Sequence, residues 1–159
     1  MRYDAPRPQA AAFWRHFSDM RARAAMEPGG AITPGRVKIL IVEDNMLLSM
    51  QIEEALLDAG FDVVGKATSA EQAVACARQH RPDLMVIDIR LEGDRDGVDA
   101  AAEIYAELGI RAIFASSFSA QDVKQRTGAA RPLAWISKPY DMDSLVDLVR
   151  DAAPGARRN

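Results

Sequence analysis

Short runs of apolar residues alternate along the chain with longer segments in which apolar residues recur every three or four positions. The runs predict buried strands at 37–42, 61–66, 83–88, 110–116 and 132–137. The segments that follow them predict helices at 45–59, 69–79, 98–108, 120–125 and 141–152, of which the fourth has the weakest pattern. Alternation of strand and helix is typical of a doubly wound α/β domain, so we expect a parallel sheet with helices on both faces.

A stretch rich in glycine and proline, PGGAITPGR at 28–36, precedes the first predicted strand. Because this composition interrupts regular structure, we predict an N-terminal extension over residues 1–36, a domain over 37–152 and a short tail over 153–159. The brevity of the tail leads us to expect no C-terminal effector domain.

The N-terminal extension contains an amphipathic pattern that predicts a helix over residues 9–26. Its apolar positions recur at helical spacing and are Phe13, Phe17, Met20 and Ala24. Several interpretations remain open. The helix packs against its own domain or against the second copy of a homodimer, or it binds a partner or a membrane surface. Alternatively, the segment is a disordered extension, or it is upstream sequence and the chain starts at Met26.

Composition narrows the class of protein. The chain has 159 residues and a net charge of −3, and the six arginines and three acids of the extension, a balance of +3, leave residues 37–159 with a balance of −6. An acidic domain disfavours nonspecific binding of nucleic acid, so no nucleic-acid partner is expected. No apolar run approaches the ~20 residues of a membrane span. The extension does not resemble a secretory signal, and Cys76 is the single cysteine. We therefore expect a cytoplasmic protein with no membrane span.

Polar side chains stand at the ends of four predicted strands. Glu43 and Asp44 follow the first strand, Asp88 ends the third, Ser116 ends the fourth and Lys138 follows the fifth. Ligands of an open parallel sheet bind at the carboxyl ends of its strands, so we expect these groups to share one edge. Three clustered carboxylates repel one another unless a cation binds, and Mg²⁺ is held by carboxylates with water and phosphate oxygens. Glu43, Asp44 and Asp88 therefore predict a magnesium site.

The same groups suit phosphoryl transfer, in which a protein mainly positions the reactants and neutralises charge. An aspartate can act as the nucleophile and form an acyl phosphate. We expect Lys138 to pair with the phosphoryl group and Ser116 to donate a hydrogen bond to it.

Four motifs, VEDN, VIDIRLEG with a later DG, IFASSF and WISKPY, resemble in order and spacing those of the receiver domain of bacterial two-component response regulators. The resemblance covers about residues 37–152 and implies a flavodoxin-like sheet with strand order 2-1-3-4-5. It also implies that Asp88 is the phosphoacceptor, that Asp44 binds Mg²⁺ directly and that Glu43 acts largely through water. The backbone carbonyl of Arg90 completes the implied metal site.

Further positions follow from the resemblance. Ser116 matches the switch hydroxyl of the family, and Lys138 matches its lysine, whose bond to Pro139 is cis in the family. The loop after Asp88 is one residue longer than the common form. Trp135 stands where the family usually has Tyr or Phe as an aromatic switch, and it is either a residue that swings on phosphorylation or part of the core.

These features predict a stand-alone response regulator that accepts a phosphoryl group from a histidine kinase or a histidine phosphotransfer protein. Its output is contact with a downstream protein, and its only reactions are its own uptake and loss of phosphate. Alternatives are a phosphate sink, a pseudo-receiver scaffold and an aspartate-based phosphohydrolase of the haloacid-dehalogenase type. The last uses an Asp-x-Asp pair after its first strand, whereas here Arg90 holds the second position and the nucleophile follows the third strand.

Overall fold

The computed structural model describes residues 35–154, apart from the side chain of Ala120. Within this range five strands and five α-helices alternate, and a short 3₁₀ turn, Gly128–Ala130, precedes the last strand. The strands are β1 (Lys38–Val42), β2 (Asp62–Ala67), β3 (Leu84–Asp88), β4 (Arg111–Ser116) and β5 (Ala134–Ser137). The helices are α1 (Met46–Asp58), α2 (Ala70–His80), α3 (Gly97–Leu108), α4 (Ala120–Thr127) and α5 (Met142–Ala152). The predicted helix over residues 9–26 and most of the tail lie outside the described residues.

The five strands form one parallel sheet in the order β2-β1-β3-β4-β5, which confirms the expected fold class. The chain moves outward in one direction from β1 to β2 and in the other direction from β3 to β5. A crevice opens at the carboxyl ends of β1 and β3, where the direction reverses. None of the helices in residues 35–154 is long and apolar enough to cross a membrane.

Alternate residues of the central strands supply two separate cores. In β1, Leu40 and Val42 face a core shared with α2, α3 and α4, whereas Ile39 and Ile41 face one shared with α1 and α5. All four side chains are fully buried, as predicted for a strand covered on both faces. Burial of each such side chain stabilises the fold by roughly 1.5–3 kcal/mol, so the edge that carries the polar groups rests on a rigid base.

Each α-helix begins after a polar residue whose side chain accepts a hydrogen bond from a backbone N–H of the first turn. These N-cap residues are Asn45, Ser69, Asp96, Ser119 and Asp141. Because Asn45 comes directly after Asp44, and Ser119 comes three residues after Ser116, two of the caps also fix the chain next to the predicted site residues.

Two predicted boundaries are wrong by two residues, and the 3₁₀ turn was not predicted. β5 begins at Ala134 rather than at 132, and α4 continues to Thr127 rather than ending at 125. Threonine has a low propensity for helix interiors. Thr127 is nevertheless fully buried, and its hydroxyl donates a hydrogen bond to the carbonyl of Val123, one turn earlier. Tertiary packing therefore extends the helix beyond the limit that propensity sets.

The dipeptide Asp96-Gly97 starts α3, one residue before the predicted start at 98. Asp96 forms a capping box with Asp99, and Gly97 is the first helical residue. A Cβ atom on Gly97 would lie 2.0 Å from the backbone carbonyl oxygen of Asp88. Glycine is required here because the helix touches the backbone of the predicted phosphoacceptor.

Replacement of Gly97 tests the close approach of α3 to the backbone of Asp88. Gly97→Ala is expected to lower the free energy of unfolding by roughly 2–4 kcal/mol, because the added methyl group forces two backbone segments apart. Gly128→Ala is the matched control, since nothing lies within 4 Å of a Cβ built there, and it should change stability by less than about 1 kcal/mol. Urea denaturation measures the free energy of unfolding of both variants. Equal stability of the two would contradict the requirement for glycine at position 97.

Candidate functional site

The carboxyl ends of β1, β3 and β5 bring four of the predicted groups together. One carboxylate oxygen from each of Glu43, Asp44 and Asp88 lies within 4.8 Å of the other two. The Nζ atom of Lys138 donates hydrogen bonds to Glu43 Oε2 at 3.0 Å and to Asp88 Oδ2 at 2.8 Å. The expectation that these strand-end residues share one edge is therefore confirmed.

The two acids that follow β1 have different environments. Glu43 is buried, and its Oε1 accepts a hydrogen bond from the backbone N–H of Asn45 at 3.1 Å. Asp44 is half-buried and directly precedes the N-cap of α1. Glu43 is thus held in place by Asn45 and Lys138, while Asp44 has access to solvent. A direct ligand role for Asp44 and a water-mediated role for Glu43 stay predictions, and this difference in exposure is compatible with them.

Asp88 is held through both of its carboxylate oxygens. Oδ1 accepts a hydrogen bond from the backbone N–H of Arg90 at 3.0 Å, and Oδ2 accepts one from Lys138. The side chain is 9% exposed, so only a small part of it is in contact with solvent. The guanidinium of Arg90 lies over the ring of Phe118, 4.4 Å from its centroid, which joins the loops after β3 and β4. The predicted ligand role of the Arg90 carbonyl stays a prediction.

Ser116 lies on the same edge, but its hydroxyl oxygen is engaged by its own loop. It is buried at the end of β4 and accepts a hydrogen bond from the backbone N–H of Phe118 at 2.9 Å. Asp88 pairs with Ala115 in the sheet, so Ser116 stands one position further along the neighbouring strand. The hydroxyl hydrogen is still available to donate to a group bound at Asp88.

Burial and hydrogen bonding act in opposite directions on the pKa values of Glu43 and Lys138. Burial raises the pKa of Glu43, and its hydrogen bonds with Lys138 and Asn45 only partly offset that effect. Burial lowers the pKa of Lys138, but its hydrogen bonds with Asp88 and Glu43 outweigh burial and raise the pKa above the ordinary value. Lys138 therefore stays charged at neutral pH. Three carboxylates against one ammonium leave an excess of negative charge at the edge.

This donor set fits a hard divalent cation. Carboxylate oxygens are the ligands that Mg²⁺ prefers, and it is usually held by one or two of them with water and phosphate oxygens. Asp44 and Asp88, with Glu43 beside them, have the chemistry and proximity for that role. The bond between Lys138 and Pro139, which the resemblance expects to be cis, is cis in the structure.

Two features near the site were not found from the sequence. The hydroxyl of Tyr140 is buried with no hydrogen-bond partner among the described residues, and burial raises its pKa to about 12. The indole N–H of Trp135 donates to the hydroxyl of Thr127 at 3.1 Å. The motif WISKPY placed Tyr140 close to Lys138, but nothing in the sequence pointed to Thr127, at the end of a weakly patterned helix.

Comparison with known proteins agrees with the fold. Residues 39–150 match the family model of the response regulator receiver domain. The chemotaxis protein CheY of Bacillus subtilis is 32% identical over 113 residues, which cover 70% of this chain and 93% of CheY. The transcriptional regulatory protein PdtaR of Mycobacterium tuberculosis is 33% identical over 112 residues, which cover 70% of this chain and 54% of PdtaR. The chain thus spans about half the length of that relative.

Solved structures show the same architecture. The signal receiver domain of a modulated diguanylate cyclase from Desulfovibrio desulfuricans G20 has a TM-score of 0.68 at 34% identity, covering 74% of this chain and 94% of that one. CheY4 of Vibrio cholerae has a TM-score of 0.68 at 20% identity, covering 74% and 99%, a likeness that concerns the fold alone. Because the family model matches residues 39–150, which is most of the chain, the chain belongs to the response regulator receiver domains of two-component signalling systems.

Proposed function

We propose that this protein is a phosphorylation switch in which Asp88 accepts a phosphoryl group from a histidine kinase or a histidine phosphotransfer protein. The observation that carries the proposal is the position of Lys138, which contacts Asp88 and Glu43 at once beside a third carboxylate, Asp44. A scaffold needs no such arrangement, because taking charged groups out of water is costly even when they are paired.

The transfer is a single displacement at phosphorus. A carboxylate oxygen of Asp88 attacks the phosphorus atom, a new O–P bond forms and the bond between phosphorus and the imidazole nitrogen of the donor histidine breaks. The electron pair of that bond stays on the imidazole, and Asp88 becomes an acyl phosphate. Loss of the group is the corresponding displacement by water, which yields inorganic phosphate, a proton and free Asp88.

Two side chains and a bound metal ion would assist this step. Lys138 is charged and already hydrogen-bonded to Asp88, so its ammonium is placed to pair with the oxygens of the incoming phosphoryl group. Ser116 has a hydroxyl hydrogen free to donate to the same oxygens. Mg²⁺ bound at Asp44, Asp88 and Glu43, with the carbonyl of Arg90, would supply the positive charge that neutralises the transferring group.

The output of the switch is contact with a downstream protein. Receiver domains are signalling modules rather than enzymes with external substrates, and the role proposed here adds only self-catalysed uptake and loss of phosphate. A phosphate sink shares all of this chemistry and differs only in lacking a downstream partner. The proposed domain runs over residues 37–152, close to the 39–150 of the family match. The proposed location is the cytoplasm, where histidine kinases present their phosphorylated histidine.

Replacement of the phosphoacceptor tests the chemistry. Asp88→Asn is expected to abolish labelling by acetyl phosphate in the presence of Mg²⁺, because an amide is not a nucleophile towards phosphorus. Intact-mass spectrometry reports the addition of one phosphoryl group, and circular dichroism reports that the variant is folded. Asp94→Asn removes one exposed acid from the same loop and should label like the wild type. A folded Asp88→Asn protein that labels at the wild-type rate would contradict the assignment of Asp88 as the phosphoacceptor.

A second variant tests the acidic cluster. Asp44→Ala should raise the stability of the metal-free protein by about 0.5–1 kcal/mol, because it relieves repulsion among three carboxylates. In millimolar Mg²⁺ the order should reverse, since only the wild type gains the free energy of metal binding. Thermal denaturation with and without Mg²⁺ measures both effects, and Asp94→Ala controls for the loss of one charge. A metal-free Asp44→Ala protein less stable than the wild type would contradict the repulsion argument.

A further inference from the structure

Helix α4 is held to the domain by a narrow buried stripe. Among its described side chains, Val123 and Thr127 are buried and the others are exposed. The two lie one turn apart on the same face of the helix. Hydrophobic stabilisation grows with buried apolar area, so a short helix with so small a buried face depends on whatever other contacts hold it.

Thr127 carries one of those contacts. Its side chain is fully buried, and a buried hydroxyl is costly unless it is hydrogen-bonded. The hydroxyl donates to the carbonyl of Val123 at 2.8 Å and accepts from the indole Nε1–H of Trp135 at 3.1 Å. An indole N–H can only donate, and a hydroxyl can donate and accept at once. The last turn of α4 is thereby tied to β5.

Lys124 contacts the same indole ring. Its Nζ atom lies 5.5 Å from the centroid of the Trp135 ring, within the range of a cation–π interaction. Lys124 and Thr127 are three residues apart, so one side of α4 touches both the face and the N–H edge of the ring. Tyrosine or phenylalanine at position 135 has no ring N–H and makes no equivalent hydrogen bond.

The first turn of α4 is tied to the phosphorylation site instead. Residues 117–119 connect Ser116 to the helix, and the hydroxyl of Ser116 holds the backbone N–H of Phe118. A phosphoryl group that draws Ser116 toward Asp88 would carry this connection with it. The opposite end of α4 is held by Trp135 through Thr127 and also by the exposed side chain of Arg126, which pairs with Asp96 at the start of α3.

We propose that the hydrogen bond between Trp135 and Thr127, with Lys124 on the ring, is a latch that keeps α4 in its resting position and opposes the activated state. The latch itself is a property of the unphosphorylated protein. Its opposition to activation rests on the function proposed for Asp88.

Hydrogen exchange of the unphosphorylated chain tests the latch. Thr127→Val, which keeps the shape of the side chain, and Trp135→Phe should each speed amide exchange in α4 about five-fold, the factor that one hydrogen bond corresponds to. The double variant should exchange no faster than either single one, because both changes break the same bond. Thr127→Ser keeps the hydroxyl and should behave like the wild type, and exchange in α3 should not change in any variant.

Affinity for a phosphoryl mimic tests the opposition to activation. Beryllofluoride with Mg²⁺ should bind Thr127→Val about five-fold more tightly than the wild type or Thr127→Ser, because removal of the latch raises the population of the activated form. Isothermal titration calorimetry measures the dissociation constants.

The outcomes separate the two proposals. Additive effects of the two single variants on exchange, or equal exchange in Thr127→Val and Thr127→Ser, would overturn the latch. Non-additive exchange with equal or weaker affinity of Thr127→Val for the mimic would overturn its opposition to activation. If the mimic binds neither the wild type nor the variants, the proposed function of Asp88 is overturned. The exchange measurements then test the latch by themselves. Should Thr127→Val not fold, Trp135→Phe is compared with the wild type, and equal exchange in α4 would overturn the latch while equal affinity for the mimic would overturn its opposition to activation.

Discussion

The ammonium group of Lys138 lies between two buried carboxylates, and the geometry of the whole edge follows from that position. Without it, Glu43 and Asp88 would be two like charges taken out of water with nothing to offset their repulsion. Removal of one partner from such a buried pair typically costs about 3–5 kcal/mol. Because each of the three residues belongs to a different strand end, the pairing also fixes β1, β3 and β5 relative to one another.

The pairing with Lys138 does not neutralise the negative charge of the cluster. One ammonium does not balance three carboxylates, and Asp44, the least buried of the acids, has no cation assigned to it within the cluster. A protein selected for stability alone would replace such a cluster with apolar residues of similar volume. The buried central strands β1 and β3 beneath the edge supply the stability that this cluster does not, since functional sites commonly depart from the local rules of folding.

Much of the fold and the site follows from the sequence because parallel topology leaves few alternatives. Once the apolar runs are read as parallel strands, their ends must meet, and Glu43, Asp88 and Lys138 are brought together without further information. The contact between Trp135 and Thr127 has no such signal, because it depends on how far a short helix continues and on how it packs. The start of α3 at Gly97, one residue before the predicted start at 98, has a signal in the sequence. Asp-Gly is typical of turns, but an aspartate three residues after Asp96 is the pattern of a capping box.

The loop between β3 and α3 is closed at its base, where the backbone N–H of Gly97 donates to the carbonyl of Ile89 at 2.9 Å. Beside this bond, the helix and the strand meet backbone to backbone with no room for a methyl group. The intervening residues, 90–96, form a surface loop that is exposed at Arg90 and at 92–94 and whose two ends are already joined. Its length is therefore decoupled from the position of either element, as in a compact surface loop. A residue inserted in the exposed part of this loop would enlarge the loop without moving Asp88, so the extra residue that the resemblance implies here need not displace the predicted phosphoacceptor.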